Sequence, residues 1–369
     1  MTVPFVDLVA QHEEIADEVR LRLDEVYANA AFIGGPDVGQ FEREYARFLG
    51  VDHCVGVANG TDALELALRA VGVRERGEVI LPANTFIATA EAVSRIGAVP
   101  VPVDVDDEFL LIDPARVEEA LTPRTQAVVP VHLFGQTAPM ERLALICAAA
   151  GVPIVEDAAQ SQGARRFGRA AGTFGRVAAT SFYPGKNLGA AGDAGAVMTN
   201  DVAVADAVRM LGAHGSATKY VHEVVGMNSR LDTVQAVYLR AKLARLEKWN
   251  EQRRTAAARY TELLRDVEGV RTPEVSPGNE DVWHLYVVRV ADRDRVAAEL
   301  SAAGVGTGIH YPTPVHLTGA YRHLGLDVDS FPIAERAAGE ILSLPMYPHL
   351  APEDQGAVVD ALSRVVASP

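Results

Sequence analysis

The feature that most constrains this chain is its rhythm from residue 54 onward, where short apolar runs alternate with longer helical patterns. The runs lie at 54–57, 78–81, 99–103, 127–132, 154–156, 178–182 and 196–199, and helices read at 62–71, 86–95, 114–121 and 138–150. Runs that are apolar throughout belong to strands buried on both faces, and the intervening helices are the crossovers that parallel strands require. The expectation is an α/β fold with a large domain built on a mainly parallel seven-stranded sheet. Ligands of such sheets bind beyond the carboxyl ends of the strands, so chemistry is sought where the runs stop.

The flanks fill in the architecture. Residues 10–30 read as one amphipathic helix, with Ile15, Val19, Leu23 and Val26 at helical spacing. After the turn Gly34-Gly35-Pro36, a second helix carries Phe41, Tyr45 and Phe48. Asp232 or Thr233 can cap a helix over 233–264, roughly 45 Å long and able to link two domains. Beyond it come a strand at 282–290, a helix at 293–303, a strand near 305–311, and helices near 332–342 and 353–367. A chain of 369 residues exceeds what one core usually serves. The division expected is 1–245 for the large domain and 246–369 for a smaller C-terminal α+β domain.

Charge and composition remove several classes. Lys plus Arg number 34 against 49 Asp plus Glu, a net charge of -15. Such a surface repels nucleic acid and anionic lipid, so neither is expected as a partner. Cys54 and Cys147 both sit in apolar stretches and read as small buried hydrophobes, not a disulfide framework. The N-terminal stretch lacks a basic region followed by an apolar core, and no apolar run approaches a membrane span. The expected location is the cytoplasm.

Three segments carry chemistry. Asn59-Gly60-Thr61-Asp62 follows a strand and opens a helix whose first N–H groups suit a phosphate; a plain strand-to-helix turn capped by Thr or Asp has the same look. Asp157 emerges from the strand Ile154-Val155-Glu156, where a carboxylate could hold a pyridine nitrogen protonated or serve as a cap or core ion-pair member. Lys186, in Phe182-Tyr183-Pro184-Gly185-Lys186-Asn187-Leu188-Gly189-Ala190, stands at a strand end before Gly192-Asp193-Ala194-Gly195. It is the only lysine before Lys219. A buried lysine there can form a Schiff base with a carbonyl cofactor; the alternative is a solvated surface lysine. There is no G-x-x-x-x-G-K-[ST] loop. Gly304-Val305-Gly306-Thr307-Gly308 lacks the last glycine of a dinucleotide fingerprint, and His222-Glu223 lacks the second histidine of a zinc motif, so no metal is expected.

The order Gly60-Thr61, Asp157, Gln160, Ser181, Lys186 and Asn228 resembles the DegT-type nucleotide-sugar aminotransferases, a branch of the fold type I pyridoxal 5'-phosphate (PLP) transferases. The resemblance runs from Pro4-Phe5-Val6-Asp7-Leu8 to the last helix. It implies that Lys186 forms the Schiff base, Asp157 pairs with the pyridine nitrogen and Gln160 contacts the ring hydroxyl. It further implies that Gly60, Thr61 and Ser181 hold the phosphate, that Phe86 stacks on the ring, and that Asn228 reaches the neighbouring subunit's phosphate in a homodimer with composite sites. Tyr183, Lys219, Tyr220, His310 and Tyr311 match places that contact substrate, although a buried, satisfied core histidine fits His310 as well. His316, His323 and His349 read as structural or surface residues.

Retention of Lys186, where dehydratase relatives carry histidine, implies transamination. L-Glutamate is the expected donor and a keto sugar on a nucleotide diphosphate the acceptor. The Tyr-Pro-x-Lys-Asn-Leu-Gly-Ala run resembles that of members acting on 3-keto sugars, which implies a dTDP-3-keto-6-deoxyhexose. A C4-specific sugar aminotransferase and a PLP-holding regulatory protein without turnover are the alternatives.

Overall fold

The computed structural model of the protein describes residues 2–367. Its central sheet contains β1 (His53–Val57), β2 (Glu78–Pro82), β3 (Val99–Val103), β4 (Thr125–Val128), β5 (Val155–Asp157), β6 (Val177–Ser181) and β7 (Gly195–Thr199). One ladder runs from β1 through β7 and β6 to β5, and a second places β2 between β3 and β4. Parallel bridges from Val128 to Ile154 and from Val131 to Asp157 join the two ladders into one sheet. Only β7 runs antiparallel to its neighbours, so this is the mainly parallel sheet that the alternation implies.

Every residue of β2 and β7 is buried, which requires cover on both faces. The helices are α1 (Leu8–Glu13), α2 (Ala16–Ala28), α3 (Pro36–Leu49), α4 (Gly60–Ala70), α5 (Ile87–Arg95), α6 (Pro114–Ala120), α7 (Met140–Ala150), α8 (Val202–Gly212) and α9 (Thr233–Leu243). Leu64, Leu68, Ala90, Val93 and Val208 pack on Val55, Val79, Val155 and Val197. Across the sheet, Phe41, Tyr45, Ala236 and Leu239 pack on Cys54, Ala178, Ala196 and Met198. Strand residues one apart thus serve opposite layers, as the two-residue period dictates. Each large side chain so buried contributes about 1.5–3 kcal/mol.

The C-terminal part comprises α10 (Leu246–Leu264), β8 (Val270–Arg271), β9 (Tyr286–Val290), α11 (Arg293–Ala302), α12 (Pro332–Glu340), β10 (Ile341–Leu344) and α13 (Pro352–Ala367). β9 lies between β8 and β10 in an antiparallel sheet. Tyr260, Tyr286, Val296, Leu342, Leu344 and Leu362 share one core, which Val3 joins by bridging to Val305.

Several sequence-based boundaries are corrected. The helix expected over 10–30 breaks at Glu14 and Ile15. Glu14 is taken by Trp249 Nε1 at 3.2 Å and His349 Nε2 at 2.7 Å, while Ile15 is buried. The helix expected over 233–264 is two helices, α9 and α10. Their junction tightens where Arg245 N donates to Lys242 O, and Arg245 Nη1 takes up the Ala241 carbonyl at 2.7 Å. No strand forms over 305–311, where only bridges at Val305 and Gly308 are made. The helix expected to run to 342 stops at Glu340, and Ile341–Leu344 is the strand β10. The strand expected from 282 begins at Tyr286, because residues just before it serve other segments. Val282 O accepts from Asn187 Nδ2, and Trp283 O and His284 O accept from Arg253 Nη1. Among the described residues, no helix is long and apolar enough to cross a membrane.

Candidate active site

Four segments meet at the carboxyl edge of the sheet. β5 ends on Asp157, β6 ends on Ser181, α4 begins at Gly60 after β1, and the loop after β2 leads through Phe86 into α5. Asn59 caps α4 by accepting from Asp62 N at 2.8 Å, so neither Thr61 nor Asp62 is the cap. The N–H groups of Gly60 and Thr61, one turn from any intrahelical acceptor, remain for a ligand. Gly60 is required here: a Cβ on it would lie 2.6 Å from Ser181 Cβ. The helix N-terminus and Ser181 Oγ therefore sit side by side, a cradle for an anion. Gly195 has a similar reason, since its Cβ would lie 2.5 Å from the Asn59 carbonyl carbon. These glycines let backbones approach each other, a more specific role than making room for a bulky ring.

Lys186 stands beyond the end of β6 in a turn where its N–H donates to Tyr183 O at 2.8 Å, five residues past the point where the strand stops at Ser181. The turn is pinned by Asn187, which is buried and donates through Nδ2 to Asn250 Oδ1 and Val282 O, both at 2.9 Å. Burial pulls Lys186 down to about 8, with the Asp157 charge acting in the other direction. That leaves about a tenth of the amine in its uncharged, nucleophilic form at pH 7, far more than for an ordinary lysine.

Asp157 is 5% exposed. Burial raises its affinity for a proton, and Thr89 Oγ1, the Ala159 N–H, Lys186 and His132 oppose that. Thr89 Oγ1 donates to Oδ2 at 2.9 Å, and Ala159 N donates to Oδ1 at 3.1 Å. Glu156, one residue earlier, faces the opposite layer. It pairs with His132 Nε2 at 2.8 Å and accepts from Gly172 N and Gly175 N. His132 Nδ1 accepts from Ala138 N at 3.1 Å, so its proton belongs on Nε2, pointing at Glu156.

The other site candidates divide. Gln160 is buried; its Oε1 accepts from Phe134 N at 2.6 Å and its Nε2 donates to Tyr311 Oη at 3.1 Å. One Nε2 hydrogen is left for a ring hydroxyl. Phe86 is 49% exposed and rests on Tyr311 with ring centroids 5.1 Å apart. Tyr183 is exposed. His310 turns toward Ser343, with Nδ1 2.9 Å from its Oγ, and stacks on Phe5, the satisfied core arrangement. Burial and the Lys186 charge hold it down to about 4, so it stands uncharged. Lys219 and Tyr220 are exposed and touch each other, Nζ lying 5.1 Å from the ring centroid. Their loop bonds to its own base through Glu223 N and Gly215 O, and no hydrogen bond among the described residues joins it to Lys186. Asn228 is exposed, and its side chain makes no hydrogen bond among the described residues.

The sequence reading missed Thr89, Asn187, His132 and His284. Thr89 had one available signal, a hydroxyl one turn past Phe86 in the first turn of a helix whose next residues include Ala90, Ala92 and Val93. His284 pairs with Asn187 Oδ1 at 3.2 Å, and burial with the Lys186 charge holds it well below the usual histidine range.

An amine of lowered basicity, a buried carboxylate, a helix N-terminus beside a serine hydroxyl and an exposed aromatic fit PLP part by part. Family comparison agrees: the model for the DegT/DnrJ/EryC1/StrS aminotransferase family matches residues 13–363. The chain belongs to that family. As a DegT-family member it is a PLP-dependent sugar aminotransferase of fold type I. It is 49% identical to the erythromycin biosynthesis sensory transduction protein EryC1 of Saccharopolyspora erythraea, over 98% of this chain and 99% of that one. It is 46% identical to the dTDP-3-amino-3,4,6-trideoxy-alpha-D-glucose transaminase of Streptomyces venezuelae, over 98% and 95% of the two chains. The crystal structure of S. venezuelae DesV in complex with a ketimine intermediate superposes with a TM-score of 0.97 at 45% identity, covering 100% of this chain and 99% of that one.

Proposed function

We propose that this enzyme transfers an amino group from L-glutamate to C3 of a keto sugar carried on dTDP, a dTDP-3-keto-6-deoxyhexose, yielding a dTDP-3-amino sugar. The observation that carries the reading is the placement of Lys186 beside buried Asp157, in a chain 46% identical to a dTDP-3-amino sugar transaminase. When bound, PLP supplies the carbonyl that carries the amino group and a ring that withdraws electrons from it.

The residues divide the work. Asp157 holds a proton on the ring nitrogen, and the spare Nε2 hydrogen of Gln160 meets the ring hydroxyl. Gly60, Thr61 and Ser181 grip the phosphate, joined by Asn228 of the partner subunit. Phe86 covers one ring face. Lys186 Nζ takes a proton from the donor's α carbon and returns it on the other side of the transfer. Tyr183 and Tyr311 line the sugar side, with His310 behind Tyr311. Lys219 and Tyr220, in trans, meet the nucleotide diphosphate. The dimer is thus part of the site. We also place the division between the large and small domains at residue 245, with the N-terminal residues around Val3 joining the smaller one.

The reverse reaction tests the regiochemistry. The enzyme is given 2-oxoglutarate with either a dTDP-3-amino or a dTDP-4-amino sugar, and glutamate formation is followed. Turnover of the 3-amino compound at least tenfold faster is expected, a difference of about 1.4 kcal/mol at the transition state. Efficient deamination of the 4-amino compound with the 3-amino compound inert would overturn the assignment.

A further inference from the structure

Asp157 has a second line of support behind it. Thr89 Oγ1 donates to Asp157 Oδ2 at 2.9 Å, and Thr85 Oγ1 lies 2.7 Å from Thr89 Oγ1. Thr85 and Thr89 are 2% and 1% exposed, so water does not compete for either hydroxyl. The direction of the chain follows from counting protons. An ionised carboxylate only accepts, and a hydroxyl has one proton to give. Thr89 spends its proton on Asp157, so the proton between the two threonines comes from Thr85. Thr89 is in the first turn of α5, where a threonine hydroxyl would otherwise fold back onto the carbonyl four residues earlier; here the side chain of that residue, Thr85, feeds it instead. Hydroxyls aligned in this way polarise one another, and the low local dielectric strengthens the bond that ends on the charge.

We propose that Thr85 and Thr89 form a two-hydroxyl chain that keeps Asp157 ionised, and so keeps the proton on the cofactor's ring nitrogen. Thr89 is a positioning residue, acting through Asp157, and the proposal rests on the reading of Asp157 as the partner of that nitrogen. The physical need is specific. A carboxylate removed from water favours its neutral form, and a neutral Asp157 would leave the ring nitrogen unprotonated. Two donors on separate oxygens, Thr89 on Oδ2 and the Ala159 N–H on Oδ1, oppose that. The Ala159 bond is fixed by the backbone, so the hydroxyl is the part that substitution can remove. One helix then serves the cofactor twice, since Phe86 leads into α5 and Thr89 follows one turn later.

The test uses holoenzyme loaded with PLP labelled with 15N in the ring, whose nitrogen resonance reports protonation whether or not the enzyme turns over. Asp157→Asn sets the unprotonated limit. Thr89→Val, which keeps the shape and removes the hydroxyl, should move the resonance more than half of the way to that limit. Thr89→Ser should restore it, and Thr85→Val, which leaves Thr89 in place, should move it a smaller distance in the same direction. PLP dissociation from the Thr89→Val enzyme should be several-fold faster. A resonance unmoved in Thr89→Val, while Asp157→Asn shifts it, would overturn the hydroxyl chain and leave Asp157 as the partner. A resonance unmoved in Asp157→Asn would overturn both. Equal displacement by Ser and Val at 89 would show a packing effect and also overturn the chain. Should Thr89→Val fail to fold, Thr85→Val decides: no displacement there overturns the proposal.

Discussion

At Lys186 burial and a neighbouring anion pull in opposite directions, and burial wins. The amine falls to about 8 although Asp157 favours its charged form. The sign fixes the pH dependence. Only the uncharged amine attacks a carbonyl, so capture of PLP by the apoprotein should accelerate about tenfold per pH unit up to about 8 and level off above it. At pH 7 roughly one amine in ten is uncharged, against on the order of one in several thousand for an ordinary lysine. Stopped-flow absorbance at a series of pH values checks this, and a rate still climbing at pH 10 contradicts the lowered value. Borohydride reduction and peptide mapping should then place the pyridoxyl group on Lys186, with Lys219 and Lys242 unlabelled.

At the scale of elements, the contact between α4 and β6 is the most exacting. An alanine at Gly60 would bring its Cβ within 2.6 Å of Ser181 Cβ and 3.1 Å of Ser181 Cα, which are not a flexible tip that could move away. Gly60→Ala should therefore push the helix N-terminus off Ser181. We expect a loss of about 1–3 kcal/mol in stability, as for other overpacked sites, and PLP affinity at least tenfold weaker by equilibrium dialysis. Unchanged affinity would separate the cradle from the phosphate. This element was legible in the sequence, because a strand, a glycine and a helix start leave a local signature. The strands of the central sheet were legible for the same reason. What was hidden depends on partners far along the chain. Ile341-Leu342-Ser343-Leu344 is an apolar run that could equally end a helix, and only pairing with β9 makes it a strand. The break between α9 and α10 falls at Ala244 and Arg245, without Gly or Pro to mark it. Within the site, Asp157 and Lys186 stood out by their places at strand ends, and Gln160 through resemblance to a known order. Thr89 and Asn187 did not, since a buried hydroxyl or amide declares its role only through what it touches.

The whole molecule carries a net charge of -15, yet the proposed substrate is a doubly anionic diphosphate. Local cations such as Lys219 must overcome that field. Lys219 and Asn228 stand exposed, and the Asn228 side chain has no hydrogen-bond partner among the described residues. If Asn228 completes the partner's cofactor cradle, as proposed, a second copy related by a twofold axis would supply it reciprocally. The consequence is quantitative. In a heterodimer of Lys186→Ala and Asn228→Ala subunits, one site draws its lysine from the Asn228→Ala chain and its asparagine from the Lys186→Ala chain. That site is intact, while the other site inherits both lesions. Random pairing of equal amounts yields half heterodimers, so activity should recover to roughly a quarter of wild type in the mixture and roughly half in the purified heterodimer. The measurement uses two affinity tags to isolate the mixed dimer, at a PLP concentration where both parent homodimers are inactive. If Asn228 served its own chain, every site would lack one group or the other, and the purified heterodimer would stay inactive.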